Sequence, residues 1–196
     1  SKTKQFNEAK SLYKRVIEIR ENLANENPVA YMSNLANTLI NLASLYLETQ
    51  LDEFFYDAEK LYKRALEIKE NLANQYPETY MPDLANTLNH IAELYLRKTM
   101  FISGKAQTIW FIKKIKTMSE EFQDLCFTEA ENLYKRALEI QENLVNENPE
   151  VYIPDFATTL NNIALLYSDA QCLTEAENLY KKVLEIRENL ANENPD

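Results

Sequence analysis

EAENLYKRALEIQENL, residues 129–144, decides the fold, because the chain writes the same text four times. The other copies are EAKSLYKRVIEIRENL at 8–23, DAEKLYKRALEIKENL at 57–72 and EAENLYKKVLEIRENL at 175–190. Within residues 129–144, Ala130, Leu133, Tyr134, Ala137, Leu138 and Leu144 follow the i, i+3, i+4, i+7 spacing that places them on one helix face, and charged residues fill the other. A single helix of this kind has nothing against which to bury its apolar stripe. Copies in one chain bury it by stacking on their neighbours, so the expectation is an all-α array with one continuous core.

Between the copies stands a second helical text. YMSNLANTLINLASLYLE from Tyr31 recurs as YMPDLANTLNHIAELYLR from Tyr80 and YIPDFATTLNNIALLYSD from Tyr152. We call these the A helices and the copies of the opening stretch the B helices. Ala9, Ala58, Ala130 and Ala176 mark the register of the B helices at spacings of 49, 72 and 46 residues. The basic period is thus 46, and the longer spacings are insertions. The expected layout is a B helix over residues 5–26, repeats over 29–75, 78–147 and 150–194, and an insertion over 99–124 within the second repeat. Asn7 is the expected cap of the first helix and Asp52 of the second B helix. The TEAE runs at Thr128 and Thr174 are expected capping boxes. Pro82 and Pro154 are expected in the first turn of their A helices, with Pro77 and Pro149 in the loops before them.

The chain has one glycine, Gly104, and one histidine, His90. Phosphate-cradling loops need several glycines, and serine or cysteine nucleophiles usually need a histidine base, so no catalytic site is expected. His90 with Glu93 three residues on is too small a set for a metal site, and a solvated or groove-lining histidine is the expectation. No metal and no cofactor is expected. Acidic residues number 31 against 21 basic, and the net charge of −10 opposes nucleic acid and anionic membrane surfaces as partners. No apolar run reaches the roughly 20 residues of a membrane span and no signal peptide opens the chain, which reads as cytoplasmic. The first residue is Ser1, which leaves room for a leader or a preceding domain. Cys126 and Cys172 occupy equivalent repeat positions, too far apart for a disulfide when helical units stack roughly 10 Å apart, and read as reduced small apolar residues.

The pattern LNxxAxLY, eight residues, then AExLYKRALEI resembles the tetratricopeptide repeat, in the long form of kinesin light chains and bacterial signalling arrays. Ala43, Ala92 and Ala164 on the A helices, with Ala58, Ala130 and Ala176 on the B helices, match the family's close helix crossings. Tyr46, Tyr95, Tyr167, Tyr62, Tyr134 and Tyr180 match its large packing positions. Gln50 and Gln171 stand where the family's loop glycine would be. The resemblance implies a right-handed α-solenoid of antiparallel helix pairs whose A helices line a concave surface for a peptide or protein partner. Carried onto this sequence, that surface comprises Asn37, Ile40 and Ser44, then Asn86, Asn89 and Glu93, then Thr158, Asn161 and Leu165. Asparagine amides donate and accept, so a ladder of them suits an extended backbone; bonding to loops or neighbouring helices is the competing role. The basic pair with which some members clamp a C-terminal carboxylate is absent.

The insertion has no counterpart elsewhere in the chain. Phe111, Ile115, Met118, Phe122 and Leu125 alternate by four and three, which predicts a helix from about Lys105 to Gln123, with Ser103 and Gly104 breaking the chain before it. Ile109, Trp110, Phe111 and Ile112 cover more than one face of that helix. Folding back on the array and contact with a second copy both remain open for Trp110, Phe111, Ile115, Met118 and Phe122. Leu179, Val183, Ile186 and Leu190 are expected to leave apolar surface at the C-terminal end, a second route to self-association. The functional expectation is a non-catalytic protein-interaction scaffold. The alternative is a regulatory or oligomerisation segment of a larger signalling protein.

Overall fold

The computed structural model describes residues 2–49, 53–108 and 113–193, and side chains for 4–49, 54–100 and 121–192. Among these the chain is all helix: α1 (Lys2–Glu26), α2 (Pro28–Glu48), α3 (Glu53–Gln75), α4 (Pro77–Thr108), α5 (Lys113–Glu147), α6 (Pro149–Asp169) and α7 (Leu173–Glu193). It divides into two compact units, Ser1–Leu94 and Tyr95–Asp196. In the first, α2 packs against α1 and α3; in the second, α6 packs against α5 and α7. B and A helices alternate as the text predicts.

Each B helix passes into the next A helix through a single non-helical residue: Asn27, Tyr76 or Asn148. Its N–H closes the helix behind it, donating to Leu23, Leu72 or Leu144 O at 2.8–2.9 Å, and its carbonyl accepts from Tyr31, Tyr80 or Tyr152 N of the helix ahead. The extended backbone of Asn27 (φ −142°, ψ 85°) makes the corner, and its Oδ1 accepts from Ala30 N at 3.3 Å. Pro28, Pro77 and Pro149 follow at the first helical position, where a missing N–H costs nothing. The expected loop prolines therefore start the A helices, and Pro82 and Pro154 lie inside them.

Other expected helix starts also move. α1 begins at Lys2, so Asn7 is interior and caps nothing. Thr128 lies within α5, its hydroxyl donating to Asp124 O at 2.8 Å, and α7 starts at Leu173, one residue before Thr174. Asp52 and Gln50 lie outside the described residues. The insertion does not form a separate helix behind a break at Ser103 and Gly104. α4 runs through both to Thr108, and residues 113–124 are the opening turns of α5. A lone glycine costs a helix only about 1 kcal/mol, too little to stop one already long.

The α6–α7 turn closes without glycine. Gln171 takes φ 62°, with its N–H on Ser168 O at 3.1 Å and the Cys172 N–H on Tyr167 O at 2.8 Å. This is the paired arrangement in which the left-handed position after a helix favours glycine. Replacing Gln171 by glycine is expected to stabilise the chain by about 1 kcal/mol, since a side chain in that region costs roughly 1–2 kcal/mol. Thermal unfolding of the variant checks it; a lower melting temperature would contradict the account.

The crossing alanines Ala43, Ala92, Ala164, Ala58, Ala130 and Ala176 are all buried, as are Tyr46, Tyr62 and Tyr134. Tyr95 and Tyr167 are half-buried, and Tyr180 is exposed. Equivalent contacts recur in both units. Phe6 of α1 meets Tyr46 of α2 with ring centroids 6.2 Å apart, and Phe127 of α5 meets Tyr167 of α6 at 6.3 Å. Lys10 lies 5.0 Å over the Tyr46 ring; Glu131, at the matching position of α5, accepts from the Tyr167 hydroxyl at 2.6 Å and pairs with Lys135 at 2.7 Å. Burial and that carboxylate push the Tyr167 hydroxyl up to about 12, and the bonds from Lys135 and Tyr167 hold Glu131 below the ordinary carboxylate range.

A polar position late in α1 and in α3 fastens the next A helix. Arg20 donates to Asn34 O at 2.6 Å and to the Thr38 hydroxyl. Lys69, buried, reaches Asp83 Oδ2 at 2.5 Å and Ser33 Oγ at 3.0 Å. Gln141 holds the same position in α5. Its amide is buried, and among the described residues neither its oxygen nor its nitrogen has a hydrogen-bond partner. Glutamine is too short to do what arginine and lysine do there, so this contact is the weak copy of the three.

Of Leu179, Val183, Ile186 and Leu190, expected to leave apolar surface partly exposed, Val183 is buried in a cluster with Phe156 and Leu160 of α6, while Leu179 and Ile186, packed against that cluster, and Leu190 are half-buried. The bare apolar residues of α7 are Leu173, Tyr180 and Leu184. Tyr180 and Leu184 each follow a core residue by one position, about 100° around the helix.

Candidate functional site

The A helices carry the candidate surface. Asn37 of α2, Asn86 of α4 and Thr158 of α6 share one register position and all three are exposed. The Thr158 hydroxyl donates back to Pro154 O at 2.9 Å, so its hydrogen is used within its own helix. One turn further the structure departs from the expected stripe. Ile40 belongs to the buried row Ala36, Ile40, Ala43 and Leu47, spaced four, three and four, and offers no surface to a partner. Asn89 and Asn161 are half-buried, while the residues that follow, Asn41, His90 and Asn162, are exposed, exposed and half-buried. The open row on α2 is thus 37, 41 and 44, and on α4 it is 86, 90 and 93. A step of four after the first residue, rather than three, would have found Asn41 and His90 from the sequence.

At the next turn Ser44 and Glu93 are half-buried and Leu165 is exposed. Tyr62 of α3, almost fully buried, organises this end of the first unit. Its hydroxyl shares a 2.9 Å hydrogen bond with Ser44 Oγ, and its ring stacks on the His90 ring at 6.4 Å and 11°. Sequence spacing cannot place Tyr62 there, because it belongs to a B helix and reaches the A-helix row only through packing. Crowding around the imidazole lowers the His90 pKa, and the nearby Glu93 carboxylate opposes that shift. His90 is therefore neutral at pH 7, with one donor and one acceptor nitrogen. Amides, a neutral imidazole and a carboxylate make a surface that gives and takes hydrogen bonds without a fixed positive charge.

Trp110 and Phe111 of the insertion lie outside the described residues, and the side chains of Ile115 and Met118 outside the described side chains. Phe122 and the neighbouring Leu125 are exposed. Among the described residues no three His, Cys, Asp or Glu side chains come together as metal ligands, and no helix is long and apolar enough to cross a membrane. Cys126 and Cys172 are free thiols, the first buried and the second half-buried.

Alternating helix pairs with a repeated register define a helical repeat protein. The sequence model of the tetratricopeptide repeat family matches residues 156–196, which cover most of α6 and all of α7. The same two texts recur in α2–α3, and the contacts between α1 and α2 recur between α5 and α6. Among solved structures the chain is similar to BtubC (BKLC) from P. vanneervenii, at 24% identity and a TM-score of 0.46, over 94% of this chain and 74% of that one. A superposition that loose transfers no function. No curated protein matches the sequence.

Proposed function

We propose that the chain is a non-catalytic scaffold that holds an extended segment of a partner protein on the open rows of its A helices. Tetratricopeptide repeats generally mediate contacts between proteins, and residues 156–196 are of that type. The observation that carries the proposal is the exposed pair Asn37 and Asn86, at one register position on two A helices of the same unit. Asn41, His90 and Glu93 continue these rows, with Ser44 and Tyr62 setting their far end. An extended backbone presents an N–H or a carbonyl at every residue, which amides can meet without dictating sequence. The expectation that residues 1–196 form a single array belongs to the same proposal.

The test is a pull-down with quantitative mass spectrometry, comparing the wild-type chain with an Asn37→Ala, Asn86→Ala double variant. A partner held on these rows should be recovered about 10-fold less, the size of effect expected for interface residues worth about 1.4 kcal/mol. The melting temperature should shift by less than about 2 °C, because both side chains are exposed. Undiminished recovery would remove the asparagines from the binding role.

A second reading, self-association, rests on the bare apolar residues of the terminal helices: Leu12, Val16 and Ile19 on α1, and Leu173, Tyr180 and Leu184 on α7. In α1 they repeat at four and three, a stripe of the kind that pairs with another helix. A monomeric mass by light scattering at high protein concentration would dispose of it.

A further inference from the structure

We propose that a cleft in the second unit, walled by α4, α5 and the α6–α7 turn, binds a peptide segment in which lysine or arginine alternates with large apolar side chains. The cleft encloses about 570 Å³, within the range of sites that take several side chains. It exists because the insertion lengthens two helices. α2 stops at Glu48, whereas its counterpart α4 continues beyond the equivalent Arg97, and α5 begins at Lys113, well ahead of Cys126. Met100 on one helix and Asp124 on the other therefore stand as walls, facing Asp169 and Cys172 at the turn.

The chemistry of the lining selects the ligand. Leu96 and Leu166 are buried at its base, with Phe127 half-buried and Met100 exposed beside them. That surface favours large apolar side chains. At the rim stand the carboxylates of Asp124 and Asp169, and neither meets a lysine or arginine among the described residues. Burial raises the Asp169 carboxyl, with no cation to counter it. A ligand ammonium or guanidinium supplies that missing charge, while an acidic ligand would add a third negative charge at the same rim. The occupant is thus cationic and apolar together. This site is separate from the asparagine rows of the first unit.

Cys172 gives the test its readout. It lines the cleft and is half-buried, whereas Cys126 is buried, so a small maleimide should modify Cys172 first. The probe is the hexapeptide Lys-Leu-Arg-Phe-Lys-Leu, with Glu-Leu-Asp-Phe-Glu-Leu and Lys-Ser-Arg-Ser-Lys-Ser as controls. At saturation the first should slow labelling of Cys172 by at least about fivefold, and neither control should do so. The Asp124→Asn, Asp169→Asn variant should lose the protection, while Asn37→Ala with Asn86→Ala should keep it, so this cleft and the A-helix rows fail independently. Equal protection by either control, protection undiminished in the Asp→Asn variant, or no protection at millimolar peptide would overturn the proposal. Protection that grows with protein concentration in the absence of peptide would also overturn it, and would assign the cleft to a second copy of the chain.

Discussion

Replacing Asp83 by alanine is expected to destabilise the first unit by about 1–3 kcal/mol, the cost of leaving a buried polar group without its partner. The cost arises on the other side of the pair. The Lys69 side chain is 1% exposed and its ammonium is held by Asp83 Oδ2 at 2.5 Å and Ser33 Oγ at 3.0 Å. Without the carboxylate a buried cation keeps one neutral acceptor, Ser33 Oγ, among the described residues. The Asp83 side chain itself is 43% exposed, so the opposite truncation is milder: water can solvate the carboxylate when Lys69 is gone. Lys69→Met removes the ammonium but keeps most of the side-chain volume. Combined with Asp83→Ala it should recover most of the lost stability, because no buried charge then remains. Urea unfolding followed by circular dichroism, with hydrogen exchange on α3 and α4 to locate the effect, measures both variants. A loss below about 1 kcal/mol for Asp83→Ala would show that Lys69 finds other solvation.

Leu160→Ala should cost the second unit about 2.7–5 kcal/mol. Leu160 is 1% exposed in the cluster with Phe156 and Val183, and Leu138, Val145, Leu179 and Ile186 pack around that cluster from α5 and α7. Truncation there loses transfer energy and leaves a void among side chains on three helices, which cannot all close inward at once. Leu184→Ala is the matched control. Leu184 is 57% exposed on α7, and its truncation should change stability by no more than about 0.5 kcal/mol. If the two variants unfold at the same denaturant concentration, the assignment of faces on α7 is wrong.

The face of α7 separates what could be read from the text from what could not. That residues 175–190 form a helix follows from apolar spacing alone. Which of two adjacent stripes points inward does not, since Leu179, Val183 and Ile186 form one periodic set and Tyr180 with Leu184 begins another. Only the position of α6 chooses between them. The same ambiguity displaced the A-helix row by one residue at Ile40 and left Asn41 out of it, with His90 read only as a solvated or groove-lining histidine. Helix starts failed for a related reason. Asn7 and Thr128 are sound local caps, but a helix that already continues through such a residue gains more from its unbroken backbone ladder than a cap would supply; at Thr174 the start moves by only one residue.

By itself the sequence determined the helical class and the alternation of two helix types. These depend on periodicity and self-similarity, which are properties of the chain read along one dimension. Tertiary structure decided the rest. It ran α4 and α5 into residues 99–124 instead of leaving that segment apart, set Lys69 against Asp83, and left Gln141 buried without a hydrogen-bond partner among the described residues. It also brought Asp124, Asp169 and Cys172, from distant parts of the second unit, to one cleft. Each of these depends on distances between helices, and those are set by how side chains from separate segments fill common space.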